Sequence, residues 1–305
     1  MARQIRNFGD IEDHFEVTEY IGGGAQADLW LAQDLETGER VAVKMQRERE
    51  FESVRSFAGL ARAISREGRS YQRLLSTTPG ATLQLFGAGD FRGRRCIVLE
   101  YVDGVLLYDV MNRHRPIREQ STVASLIGQL CEALADMHDR DFVHRDLKPE
   151  NIMLARDGRV RLLDLGLTVR ARSRTRHGAG TIGYAPLEQL DAAPEGVTAQ
   201  ADVFALGCLL LELTVLELPY EGSREGMTDE NPVVLPPEKL HLLPAPFAAL
   251  ALSMVELRPE NRPSSVREVY EHLRPHVPEV RAPRPLKPLR PADPTEYYRT
   301  RSHRW

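Results

Sequence analysis

Asp146, Asn151 and Asp164 are the residues whose types and spacing point most directly to chemistry. Asp146 and Asn151 stand within His144-Arg145-Asp146-Leu147-Lys148-Pro149-Glu150-Asn151, and Asp164 opens Asp164-Leu165-Gly166 thirteen residues further on. Two carboxylates and an amide at these separations suit phosphoryl transfer. One carboxylate orients a hydroxyl nucleophile, while the amide and the other carboxylate hold a metal ion on a triphosphate. Eight contiguous residues plus a spaced Asp-x-Gly form a specific signal, where a single triplet would not.

These segments resemble the catalytic loop and metal-binding triplet of eukaryotic-type (Hanks-type) serine/threonine protein kinases, and the compact chain is similar to the bacterial branch of that family. The resemblance implies an α+β, bilobal fold with a small strand-rich N-lobe carrying one helix and a larger helical C-lobe. It implies ATP and Mg2+ as cofactors and proteins with Ser/Thr acceptors as substrates. In that scheme Asp146 accepts or orients the hydroxyl proton and Lys148 stabilises the transferring phosphate. Asn151 and Asp164 hold magnesium, and Lys44 grips the nucleotide phosphates. Lys148 two residues after Asp146, together with Thr181, matches the Ser/Thr subgroup.

The elements that must position these groups begin with strands. Residues 15–43 alternate as strands broken by turns. Within them lies Ile21-Gly22-Gly23-Gly24-Ala25-Gln26-Ala27-Asp28-Leu29, where glycines let a backbone approach phosphate oxygens. With Val41-Ala42-Val43-Lys44 downstream, this resembles the kinase glycine-rich loop and third strand. The resemblance places Ile21, Gly22, Gly23, Gly24, Leu29, Ala42 and Lys44 at the nucleotide, with Ala27 in place of the third glycine. Leu60, Ile64, Tyr71, Leu74 and Leu75 recur at helical spacing, which puts Glu67 on the same inward face. A carboxylate there needs a cation, and Lys44 is the expected partner, with Glu48, Glu50 and Glu52 as rivals. Gly68 lowers helix propensity by about 1 kcal/mol relative to Ala and is expected to loosen this helix. Arg95 to Gly104 reads as a buried strand running into a linker that resembles the kinase hinge. The backbones of Glu100 and Val102 would then meet the adenine, and Leu99 would guard the back of the pocket.

The rest of the chain reads as helical. Val123, Leu126, Ile127, Leu130, Leu134 and Met137 mark an amphipathic helix delivering the chain to His144. Residues 202–211 are apolar all round and resemble the central helix of the kinase large lobe, whose leading Asp202 braces the catalytic loop. Arg262 would pair with Glu188, although Pro186-Leu187-Glu188 departs from the family's Ala-Pro-Glu, and Leu165 replaces its Phe. Between them runs Arg170-Ala171-Arg172-Ser173-Arg174-Thr175-Arg176-His177. In the family an Arg in the place of Arg145 goes with control by this loop, so the resemblance implies autophosphorylation at Thr175 or Ser173, with Thr175 favoured.

Composition is that of a globular enzyme: 305 residues, 42% hydrophobic, 28% charged, net charge -4. Such a balance gives no reason to expect nucleic acid or an anionic membrane as the main partner. Cys96, Cys131 and Cys208 sit in apolar runs and read as reduced thiols. No signal peptide or membrane span is evident, and a cytoplasmic location is expected. The expected organisation is a leader at 1–12, an N-lobe at 13–100, a C-lobe at 101–275 and a disordered Pro/Arg-rich tail at 276–305. That tail would be a solvated segment or a docking peptide for a partner. Two rival functions are a small-molecule phosphotransferase and a pseudokinase scaffold. The first would not be expected to keep Thr181, Glu188 and Arg262 together; the second would typically lack one of Lys44, Asp146, Asn151 or Asp164.

Overall fold

Alternating apolar residues in the first hundred positions produce strands β1 (Arg6–Asp10), β2 (Phe15–Gly23), β3 (Ala27–Asp34) and β4 (Arg40–Gln46), then helix α1 (Val54–Leu75), β5 (Leu85–Phe91) and β6 (Arg94–Glu100). The structure, a computed structural model, describes residues 6–24, 27–47, 54–75, 82–113, 116–173 and 178–305. The strands form one sheet in the order β1-β5-β6-β4-β3-β2, antiparallel except for the parallel β1–β5 pair. One face buries Ile11, Phe15, Val41, Val43, Met45, Cys96 and Val98. Helix α1 packs against β4, β5 and β6 through Ile64, Tyr71 and Leu74. Gly68 has a packing role here: a Cβ at that position would come within 3.1 Å of Ile97 Cγ2, so glycine permits the close approach of α1 to β6.

The remaining elements form a second unit. They are β7 (Gly104–Leu106), α2 (Leu107–Arg113), α3 (Gln120–His138), β8 (Phe142–Val143), β9 (Ile152–Ala155), β10 (Val160–Leu162) and β11 (Val169–Arg170). Then follow α4 (Leu187–Leu190), α5 (Gln200–Val215), α6 (Arg224–Thr228), α7 (Pro237–Leu240), α8 (Ala245–Met254), α9 (Val266–Leu273) and α10 (Thr295–Arg299). The strands pair as β10-β9-β7 and β11-β8. Helix α5, apolar on every side, is the core of this unit, packed by α3 and α8. Helix α3 starts where the Glu119 side chain accepts the Thr122 backbone N–H at 2.7 Å. Among the described residues, no helix is long and apolar enough to cross a membrane.

The α+β class holds, but the expected boundaries need correction. The first unit comprises the chain up to Val102 together with Asp164–Gly166; the second comprises Asp103–Leu163 and Leu167–Trp305. The leader is not separate, because β1 joins the sheet beside β5 and Ile11 is fully buried. The tail is not an extended solvated segment. Leu289, Ala292, Thr295 and Tyr298 are buried and α10 packs on α3. Pro/Arg-rich composition supplies no core of its own, but α3 and α9 supply the apolar surface that these few residues need. For the same reason α3 is buried beyond its expected stripe, at Ser125, Gln129 and Glu132.

Candidate active site

In the first unit, sheet register sets the positions. Leu29 pairs with Lys44 across β3 and β4, and Ala42 pairs with Leu99 across β4 and β6. Lys44 Nζ donates to Glu67 Oε1 at 2.8 Å and lies 2.7 Å from Oε2. It also donates to Asp164 Oδ2 at 2.9 Å, while Asp164 Oδ1 accepts the Gly166 N–H at 2.7 Å. One cation is thus shared by two carboxylates. Burial works against the charge of Lys44, but Glu67 and Asp164 outweigh it and hold the ammonium protonated, its pKa raised. Burial pushes the Glu67 carboxyl up to about 7, against the pull of Lys44 and with the help of Asp164.

Gly22 and Gly23 close the β2–β3 hairpin opposite Leu29 and Asp28, and the Gly24 N–H donates to the Ala27 carbonyl at 2.8 Å. Ile21 is exposed at 38%, and Ala27 is buried between β2 and β4. Leu99 is buried, the Glu100 N–H donates to the Gln84 carbonyl at 2.8 Å, and half-buried Val102 closes the unit. The rival partners Glu48, Glu50 and Glu52 lie outside the described residues, as does Thr175.

The second unit gathers Asp146, Lys148, Asn151 and Thr181. Thr181 Oγ1 donates to Asp146 Oδ1 at 2.7 Å and accepts from Lys148 Nζ at 2.8 Å. Asn151 Nδ2 donates to Asp146 Oδ2 and to the Asp146 carbonyl, both at 2.8 Å. Lys148 Nζ lies 3.4 Å from Asp146 Oδ2. Every Asp146 side-chain oxygen is therefore oriented by a donor, and the carboxylate cannot swing freely.

Asp202 holds the loop from beneath. Its carboxylate accepts the backbone N–H groups of His144 and Arg145, both at 2.9 Å, and faces His138 Nε2 at 2.8 Å. Burial would raise the Asp202 pKa, but these bonds, His138 first, keep it below the usual carboxylate value. Arg145 takes up positive φ, 71°, a strained backbone that this grip sustains. Its side chain is buried, and among the described residues Nε and Nη2 have no hydrogen-bond partner. Burial lowers its pKa despite Asp202 nearby.

Arg262 Nη1 donates to Glu188 Oε1 at 2.6 Å and Nη2 to Oε2 at 3.2 Å; its Nε donates to the Glu256 carbonyl at 2.7 Å. Despite the Pro-Leu-Glu departure, Glu188 keeps this bidentate partner from within α4. Sequence reasoning missed Gln189, which is almost fully buried. Its Nε2 donates to the carbonyls of Arg145 and Ala179, both at 2.7 Å, tying the loop that carries Asp146 to the stretch before Thr181. The only signal for it was its place beside Glu188, since its partners are backbone atoms remote in sequence.

This assembly has counterparts among known proteins. The protein kinase domain model matches residues 15–273, and the chain belongs to that family. Among its relatives, serine/threonine-protein kinase PknB of Mycolicibacterium smegmatis is 31% identical over 296 residues, covering 88% of this chain and 45% of that protein. PknB of Mycobacterium tuberculosis H37Rv is 30% identical over 278 residues, covering 85% and 42%. Serine/threonine-protein kinase PrkC of Bacillus subtilis is 28% identical over 215 residues, covering 70% and 32%. The chain spans less than half the length of these curated relatives.

Proposed function

We propose that this chain transfers the γ-phosphate of ATP to Ser or Thr hydroxyls of proteins. The observation that carries this reading is the Thr181 hydroxyl held between Asp146 and Lys148. There the carboxylate accepts the hydroxyl hydrogen and the ammonium binds the hydroxyl oxygen. A substrate hydroxyl presented to Asp146 meets the same pair of charges. Asp146 orients and takes the proton, the hydroxyl oxygen bonds to the γ-phosphorus, and the bond to the β-phosphate oxygen breaks to release ADP. Lys148 offsets charge on the transferring oxygens, and Lys44, aimed by Glu67, binds the nucleotide phosphates.

The donor set fits magnesium. Asn151 commits its amide nitrogen to Asp146, and no donor among the described residues reaches Oδ1, which remains as an acceptor. Asp164 offers a part-exposed carboxylate. Both are hard oxygen donors of the kind magnesium prefers, and the bound ion would offset charge developing on the phosphates.

Regulation follows from Arg145. A phosphate on Thr175 or Ser173 would add roughly -1.5 to -2 charge and offer acceptors to Arg145 Nε and Nη2, which have none among the described residues. Autophosphorylation of this loop is therefore part of the proposal. A cytoplasmic setting is as well, in keeping with free, buried Cys96, Cys131 and Cys208. Labelled ATP with magnesium and a generic basic protein, followed by phosphoamino-acid analysis, tests the reading; label on tyrosine alone or on a small metabolite would defeat it.

A further inference from the structure

The segment from Pro278 to Trp305 lies beyond the matched kinase domain, yet α3 is furnished to receive it. Tyr298 is fully buried, and its hydroxyl donates to Glu132 Oε1 at 2.8 Å, while the Tyr297 hydroxyl donates to Oε2 at 3.1 Å. Glu132 is a buried carboxylate whose hydroxyl donors both come from the tail. Further along, Arg304 reaches Asp136, and the Trp305 ring meets Tyr270 edge-on at 5.0 Å. An acidic stripe on α3 thus meets tyrosine hydroxyls and an arginine of the tail.

One turn before Glu132, Gln129 joins the tail to the hairpin of β9 and β10. Its Nε2 donates to the carbonyls of Gly158 at 3.0 Å and Pro294 at 3.1 Å, and its Oε1 accepts the Val160 N–H at 2.9 Å. Both N–H groups and the carbonyl of this buried amide are thus engaged, by three partners from two remote segments. The hairpin turn and the tail are also in backbone contact. Gly158 has φ +83°, and a Cβ there would stand 2.5 Å from the Asp293 carbonyl oxygen. At the other end of the same hairpin, the Leu163 N–H donates to the Asn151 carbonyl at 3.0 Å, and Asn151 directly precedes β9. A four-residue strand is about 13 Å long, so a shift at the turn is carried to Asn151 with little room for damping.

We infer that the tail is a strap which, through Gln129 and the Gly158 turn, fixes the β9–β10 hairpin and so positions Asn151. Its consequence for transfer rests on the reading of Asn151 as a magnesium ligand. Gln129 and the tail touch neither substrate nor metal; they act through the hairpin. Stability alone would not require the strap to cross the turn at the far end of the hairpin from Asn151, and the difference is measurable.

The test uses the full chain carrying Gln129→Met, which keeps the side-chain volume and removes all three bonds, and the double variant Tyr297→Phe/Tyr298→Phe. Three quantities are read: hydrogen exchange of the amides from Ile152 to Leu162, the magnesium dependence of ADP binding by calorimetry, and the magnesium midpoint of phosphate transfer. The inference expects faster exchange in the hairpin and a magnesium requirement raised on the order of 10-fold, the usual loss when a ligand's support is removed. KM for ATP at saturating magnesium should stay unchanged. A lower melting temperature with unchanged exchange and an unchanged magnesium requirement would overturn it. If either variant fails to fold, Tyr297→Phe alone supplies the same readings on a milder lesion. If the wild type transfers no phosphate, the proposed function falls, while exchange and ADP binding still decide the strap.

Discussion

Thr181 gives its hydroxyl hydrogen to Asp146 Oδ1 over 2.7 Å, while Lys148 Nζ, 2.8 Å away, donates to the same hydroxyl oxygen. The stretch leading to Thr181 is tied to the loop that carries Asp146 by Gln189. A displacement of that stretch therefore withdraws a donor from the Asp146 carboxylate, which under the proposed function would link the position of the stretch to transfer.

Thr181→Val preserves shape and removes that donor. Transfer should fall on the order of 10- to 100-fold, as for loss of a group that orients a reactive residue, while ADP binding stays near wild type. Thr181→Ser should restore most of the rate, because the hydroxyl returns. Steady-state kinetics of the two variants side by side check this, and equal losses would assign Thr181 a packing role only.

The Lys44, Glu67 and Asp164 cluster sets a pH dependence. Glu67 has a folded pKa of about 7, above its usual 4.5, so the folded state holds a proton that the unfolded state releases. Its contribution to stability is present below about 4.5 and is lost as pH rises through 7. Denaturant unfolding of metal-free protein should show the wild-type minus Glu67→Gln difference shrinking across that window and flat above it. A difference that grows with pH would mean the carboxylate is ionised throughout.

Arg262 is buried on Glu188 and three backbone carbonyls. Removing one partner of such a pair leaves an uncompensated charge, a loss of about 3–5 kcal/mol. Glu188→Ala should therefore destabilise the second unit strongly and Glu188→Gln less so, as chemical denaturation would show. Equal midpoints for the two variants would argue against a charge effect.

Tail truncation reverses the expectation drawn from composition. Deleting residues 281–305 removes fully buried Tyr298 and leaves Glu132 without its hydroxyl donors. Tyr298→Ala alone should cost about 3–5 kcal/mol, the range for aromatic truncation in a core. Calorimetric unfolding checks it, and an unchanged transition would restore the picture of a solvated tail.

Asp146, Lys148, Asn151 and Asp164 were legible because such chemistry demands particular residue types at fixed separations, so the pattern survives in one dimension. Glu67 was legible because helical period placed a carboxylate on an apolar face, where only a cation could accompany it. Gln129, Gln189 and the docked tail were not. Their bonds go to backbone carbonyls or to residues far along the chain, so no local period announces them. In the tail, Pro and Arg dominate the composition, and the few residues that matter, Thr295 and Tyr298, bury themselves on surface supplied by α3, with half-buried Tyr297 beside them. The strand at Arg6–Asp10 escaped for a similar reason, since its partner β5 begins some eighty residues later.

In the proposed reaction Asp146 acts on an acceptor hydroxyl and not on the nucleotide. The measurement that tests it most directly is phosphate transfer from labelled ATP by wild type and Asp146→Asn, alongside calorimetric binding of magnesium–ADP to both. Label should appear on Ser and Thr with the wild type, the rate should be lowered by about 10²–10⁴-fold in Asp146→Asn, and nucleotide binding should be nearly unchanged. Wild-type turnover by Asp146→Asn, or a loss of nucleotide binding equal to the loss of rate, would contradict it.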